Sequence, residues 1–204
     1  AETYNFRVLA DECYSEIYFD TPPPGLIQAC DNMGGDLDNV LIFNSLSKRS
    51  NAAGLRAGFV SGDANLINPF LKIRSHAAAV QPLPIMAAAA ALWADEKHVE
   101  INRKLYIKKF LDAQEIFGVD FDFYIPEGGF FLWLNVGDGC QAARDLWQFE
   151  GLKVLPGNYL SQPINGKTTP GDQYIRVALV HDKVTNKSAL KRMHRALLQR
   201  TEVT

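Results

Sequence analysis

The chain has 204 residues, 47% of them hydrophobic, which is enough for one sizeable core or two modest ones and excludes a disordered polypeptide. Its 21 basic and 23 acidic residues leave a net charge of -2, so overall charge gives no reason to expect a nucleic-acid or membrane partner, and a small-molecule role is favoured. No apolar run reaches the roughly 18 residues of a membrane span, and the N-terminus lacks a charged-then-apolar signal pattern, so the expected compartment is the cytoplasm.

In chain order, residues 6–10 form a short apolar run ending at Asp11 and Glu12, which predicts a buried strand with carboxylates at its C-terminal end. Pro22-Pro23-Pro24-Gly25 is a loop by composition. A second strand, 40–43, leads into Asn44-Ser45-Leu46-Ser47-Lys48, and a third, 58–61, follows Gly54-Leu55-Arg56. Polar residues beside the ends of short strands are the pattern of an α/β sheet that binds its ligand there. Asp63 caps a helix reaching about Ser75.

Residues 84–117 read as one long helix, with Tyr106, Phe110, Ala113 and Phe117 on one face and Gly118 at its end. The expected organisation is a sheet domain over 1–83, this connecting helix over 84–118, and a smaller domain over 119–204. In the smaller domain, 121–125, 130–136 and 174–180 read as strands, and 141–150 and 184–200 as helices. The last helix buries Leu190, Met193 and Leu197, while Lys187, Lys191, Arg192, Arg195 and Arg200 read as a solvated face.

The densest polar group is Ser45, Ser47, Lys48 and Arg56. Hydroxyls and a guanidinium suit a phosphate, and a partly desolvated lysine amine is the nucleophile that a carbonyl cofactor requires. Asp11, at a strand end, is the carboxylate that would keep a pyridine nitrogen protonated, and Tyr14 stands three residues on. Alone, the serine-lysine segment also reads as a polar loop, and the Asp-Glu pair as capping carboxylates.

Asp11-Glu12-Cys13-Tyr14 resembles the D-E-x-Y motif of fold-type I pyridoxal-phosphate (PLP) aminotransferases of class I/II. Ser45-Leu46-Ser47-Lys48 with Arg56 resembles their S-x-S-K...G-x-R segment. Pro126-Glu127-Gly128-Gly129-Phe130-Phe131 resembles their P-x-G-x-F strand, and Tyr174-Ile175-Arg176-Val177 the strand bearing the substrate arginine. The resemblance implies an α/β fold: the second part of a large, mainly parallel sheet domain plus a smaller C-terminal α+β domain.

It also implies pyridoxal 5'-phosphate as cofactor and Lys48 as the Schiff-base lysine and proton shuttle, with Asp11 on the ring nitrogen and Tyr14 near the ring oxygen. Ser45, Ser47 and Arg56 would hold the phosphate, and Arg176 the substrate α-carboxylate. The implied partners are an amino acid and a 2-oxo acid, and the implied assembly is a homodimer of the complete enzyme. The wording around Lys48 and Arg56 is most similar to the succinyldiaminopimelate transaminase branch, which serves lysine biosynthesis. Family members are longer and supply further cofactor contacts before the D-E-x-Y strand, so the chain is expected to be the C-terminal part of a larger enzyme, inactive alone. A PLP lyase, or the aminotransferase-like ligand domain of a regulator, is the alternative.

Other signals are weaker. Gly137-Asp138-Gly139-Cys140-Gln141-Ala142 fits a dinucleotide fingerprint but reads as well as a capped strand-to-helix turn. The histidines show no metal-ligand spacing, and Cys13, Cys30 and Cys140 form no CxxC pair, so no metal site is expected. Cys13 reads as a buried structural thiol, Tyr159 as a core residue ahead of a lining of the substrate pocket, and Arg49 as a surface arginine ahead of a partner for a distal substrate carboxylate.

Overall fold

An unbroken apolar run suits a strand covered on both faces, and Val40, Leu41 and Ile42 are buried in this way in the computed structural model, which describes residues 1, 3–77, 80–163, 166 and 168–201. They open β2 (Val40–Ser45), the central strand of a sheet flanked by β1 (Val8–Asp11) and β3 (Gly58–Gly62). β1 runs parallel to β2, with Asp11 opposite Phe43, whereas β3 runs antiparallel, with Gly58 opposite Ser45. The sheet of these residues thus holds one parallel and one antiparallel pair. Gly58 is required by close approach, since a Cβ there would lie 2.3 Å from the Asn44 carbonyl oxygen.

The chain divides into two compact units, Ala1–Arg103 and Lys104–Thr204. In unit 1 the expectation of a buried first strand fails. β1 is an edge strand of this sheet whose residues alternate between half-buried and exposed, and Leu9 is 65% exposed. After the proline run comes α1 (Leu26–Asn32), which composition did not predict; Glu12 Oε1 accepts the Leu26 N–H at 2.7 Å, so one carboxylate of the Asp-Glu pair is a capping group. Asp63 caps α3 (Ala64–Ala77) as expected, with Oδ1 accepting the Asn65 N–H at 2.7 Å.

The single long helix is instead two, α4 (Leu83–Ala94) and α5 (Lys97–Phe117). Asp95 takes extended backbone after α4, and its carboxylate accepts the Lys97 N–H at 2.9 Å, which starts a new helix. The division between the two units falls within α5.

Unit 2 is built on an antiparallel sheet in the order β4 (Phe131–Asn135), β6 (Tyr174–Ala178), β5 (Leu155–Pro156). Alternation along the strands buries Leu132 and Leu134 of β4 and Ile175 and Val177 of β6. The core adds Tyr106, Phe110, Ala113 and Phe117 of α5, Leu146 of α6 (Gly139–Glu150), and Leu190, Met193 and Leu197 of α7 (Lys183–Thr201). Both stripes read from the helical period are thus the buried faces.

Residues 121–125 do not form the expected strand. Asp120–Asp122 is a 3-10 turn in which Phe121 and Asp122 both have positive φ, 59° and 54°, and the Phe121 ring packs edge-on against Phe117 and His194. Of the basic residues of α7, Lys191, Arg192 and Arg195 are exposed as expected, while Lys187 and Arg200 are half-buried and pair with Glu115 at 2.7 Å and Asp145 at 2.9 Å. The glycine-rich turn before α6 is a cap, since Asp138 Oδ1 accepts the Gln141 N–H at 2.8 Å. A Cβ on Gly139 would sit 2.1 Å from the Tyr174 carbonyl oxygen, and the antiparallel β4–β6 pair is not the parallel unit that a dinucleotide needs. No helix among the described residues is long and apolar enough to cross a membrane.

Candidate active site

Strand direction decides which polar residues meet. Because β1 and β2 are parallel neighbours, their C-terminal ends lie at the same edge of the sheet, which brings Asp11 alongside the Ser45–Lys48 segment. The antiparallel sense of β3 does the same for Arg56, whose position two residues before Gly58 sets it beside Ser45. A parallel third strand would have put Arg56 at the opposite edge.

The segment after β2 is α2 (Leu46–Arg49), a single turn with Leu46 and Arg49 buried, while Ser47 and Lys48 stay half-buried on the other side. Ser45 caps this turn: its Oγ accepts the Ser47 N–H at 3.1 Å and lies 2.9 Å from Ser47 Oγ. The Lys48 ammonium stands 5.7 Å from the centroid of the Tyr14 ring, within range of a cation–π contact. Arg56 is in the left-handed region, φ 52° and ψ 37°, and its Nη1 donates to the Ala53 carbonyl at 3.1 Å. Left-handed backbone at a non-glycine residue costs energy and tends to gather where a site demands it.

Asp11 Oδ1 accepts the Cys13 N–H at 3.1 Å. Hydrogen bonds from the Cys13 side chain and backbone hold the Asp11 carboxyl below its ordinary range, against a small opposing effect of burial. The Cys13 thiol is pushed up to about 11, first by burial and then by Asp11, with Ser45 and Lys48 acting in the other direction. At neutral pH the edge therefore presents an ionised Asp11 carboxylate and a protonated Cys13 thiol.

Arg176 belongs to unit 2. It lies on the face of β6 opposite the buried Ile175 and Val177, in register with Trp133, and its guanidinium sits 4.4 Å from the Phe131 ring centroid. Its neighbour Tyr174 stacks on Trp133 at 5.2 Å, so this face of the sheet is aromatic and carries one cation at its middle.

Residues 1–193 match the family described as aminotransferase class I and II. The chain belongs to that family. The 4-dedimethylamino-4-oxo-anhydrotetracycline transaminase OxyQ of Streptomyces rimosus is 38% identical over 169 residues, covering 82% of this chain and 45% of OxyQ. An LL-diaminopimelate aminotransferase of Aquifex aeolicus is 29% identical over 182 residues, covering 88% of this chain and 45% of that one. A solved aminotransferase of Neisseria meningitidis superposes with a TM-score of 0.87 at 43% identity, over 94% of this chain and 49% of its own. This aminotransferase-family chain thus spans about half the length of the relatives it matches, and its α/β fold matches about half of a fold-type I aminotransferase.

Three residues of this aminotransferase-family chain differ from what the sequence leads one to expect. Tyr159 is 73% exposed and is not a core residue. Cys13 is half-buried and its thiol adjoins Asp11, Ser45 and Lys48, so it lies among the site residues rather than in a core. Arg49 is 3% exposed, not a surface arginine. Helical geometry held a signal for Arg49: in a one-turn helix, positions 46 and 49 share a face, so a buried Leu46 draws Arg49 inward with it.

Proposed function

We propose that this chain supplies the lysine-bearing part of a PLP-dependent aminotransferase site. The observation that carries this reading is the convergence of Asp11, Ser45, Ser47, Lys48 and Arg56 at one sheet edge, with the Tyr14 ring against Lys48. The donor set fits the cofactor. Paired hydroxyls and a guanidinium suit a phosphate dianion, and Asp11, ionised at neutral pH, suits a protonated pyridine nitrogen. When bound, pyridoxal phosphate supplies an electron sink for charge developing at the substrate α-carbon.

In this reading Lys48 Nζ would hold the cofactor and, once free of it, would take the proton from the substrate α-carbon, while Asp11 would keep the ring nitrogen protonated. Ser45, Ser47 and Arg56 would hold the phosphate, Tyr14 would contact the ring oxygen, and Arg176 would bind the substrate α-carboxylate. The substrates are an amino acid and a 2-oxo acid, with N-succinyl-diaminopimelate and 2-oxoglutarate as the proposed pair. An LL-diaminopimelate aminotransferase among the relatives supports a diaminopimelate-like substrate. Because the chain spans about half the length of its relatives, turnover is proposed for the complete homodimeric enzyme, not for these residues alone.

Replacing Lys48 with alanine in the complete enzyme tests the reading. Transfer of the amino group should fall by about 10² to 10⁴ fold, as expected for loss of a positioned acid–base, and covalent retention of the cofactor should vanish. Normal turnover in that variant would remove Lys48 from the mechanism.

A further inference from the structure

We infer that Arg49 is a positioning residue that sets Lys48 against Tyr14, because its one guanidinium ties the helix carrying Lys48 to the turn carrying Tyr14. The inference rests on the reading of Lys48 as the cofactor-holding lysine. A four-residue helix has almost no stability of its own, so the place of Lys48 is decided by what anchors α2. Two of its side chains are buried, Leu46 and Arg49, and only Arg49 can bond in several directions.

The guanidinium uses those directions. Nη1 donates to the Leu92 carbonyl at 2.9 Å, Nη2 pairs with Glu96 Oε1, and Nε faces Glu16 Oε1 at 3.7 Å, an ion-pair distance too long for a hydrogen bond. Its plane lies 5.1 Å from the Trp93 ring centroid, and the Arg49 carbonyl accepts from Asn102 Nδ2 at 3.4 Å. A charge this deeply buried persists only when paired on several sides, so the surroundings hold Arg49 as firmly as it holds them.

Glu16 makes the arrangement more than an anchor for α2. It lies two residues after Tyr14 in the turn following β1, and Arg103 Nη1 holds it from the other side at 3.5 Å. Ile17, next to it, is buried. The Tyr14 turn and the Lys48 helix are far apart in sequence, yet both are keyed to one cation, which fixes the spacing between the phenol ring and the amine. Lysine at position 49 would bring one point charge in place of a fork and could not meet Glu16, Glu96 and the Leu92 carbonyl together.

The test uses Arg49→Ala and, because that variant leaves Glu16 and Glu96 without their partner, the milder Glu16→Gln. In the cofactor-free complete enzyme, both should speed amide exchange over 12–18 and 46–52 together while leaving 104–163 unchanged. With added pyridoxal phosphate, borohydride trapping and mass analysis should show attachment at Lys48 slowed by about tenfold in each, the cost expected of a reacting group displaced by a fraction of an ångström. Millimolar methylguanidinium should restore the rate in Arg49→Ala, which general loosening would not allow. Faster exchange over 46–52 alone, or an undiminished rate at Lys48 in both variants, would overturn the proposal. Absence of attachment at Lys48 in the unaltered protein would instead sink the cofactor reading, and coupled exchange of the two segments would still decide whether Arg49 joins them.

Discussion

The two units solve the same packing problem unequally. In unit 2 each long helix and both longer strands contribute buried side chains, so that Phe110, Phe117, Leu132, Leu134, Leu146, Ile175 and Leu197 are all removed from solvent. In unit 1 the helices α1, α3 and α4 contribute none, although α4 is almost wholly apolar, and burial concentrates around β2 and α2. The buried side chains of unit 1 include Ile42, Leu46, Arg49 and Val99, two of them in the helix that carries Lys48. The difference teaches that a well-packed segment need not sit on a large core; a small buried cluster with one multiply paired arginine packs the helix that carries Lys48.

Substitutions can break or sharpen that contrast. The largest effect is expected at the centre of unit 2, where Phe110 is fully buried: Phe110→Ala should cost about 3–5 kcal/mol, read as denaturant-dependent exchange of unit 2 amides. A loss under about 1 kcal/mol would mean that unit 2 lacks the consolidated core described above.

A smaller effect, confined to the site, is expected at Cys13. Cys13→Ala removes the thiol hydrogen bond that is the largest cause of the lowered Asp11 pKa, so the carboxyl should titrate closer to the ordinary 3.8. A depressed carboxyl pKa contributes stability that is present above the unfolded value and lost as pH falls through the folded one. The Cys13→Ala protein should thus begin to lose the Asp11 turn at higher pH than the unaltered one, a difference visible in the Asp11 carboxyl carbon resonance during acid titration. An unchanged midpoint would assign the lowering to the Cys13 backbone N–H alone.

The smallest effect belongs to the open surface of unit 1. Leu83, at the start of α4, is 79% exposed, so Leu83→Ser in the 204-residue chain should shift stability by no more than about 0.5 kcal/mol in chemical denaturation. A cost near that of Phe110→Ala would show that α4 is covered and would erase the contrast between the units.

Much of this was legible in the residues themselves. The stripes of α5 and α7 follow from the 3.6-residue period, the cap at Asp63 from side-chain chemistry, and the grouping of Asp11, Tyr14, Ser45, Ser47, Lys48 and Arg56 from motif order. These depend on neighbours within a few turns of chain. The break at Asp95 and the left-handed pair Phe121 and Asp122 were not legible, because one hydrogen bond and two ring contacts override the local preference.

What the sequence alone determined is the inventory: which side chains carry charge, which segments bury a face, and which residues resemble a PLP site. Only the tertiary structure decided that β3 runs antiparallel, and hence that Arg56 reaches the edge where Ser45 and Lys48 stand. Only it decided that Arg49 turns inward to Glu16, Glu96 and Trp93. Both are long-range facts, because strand direction and the partners of a buried cation depend on residues brought together by folding, which no local period records.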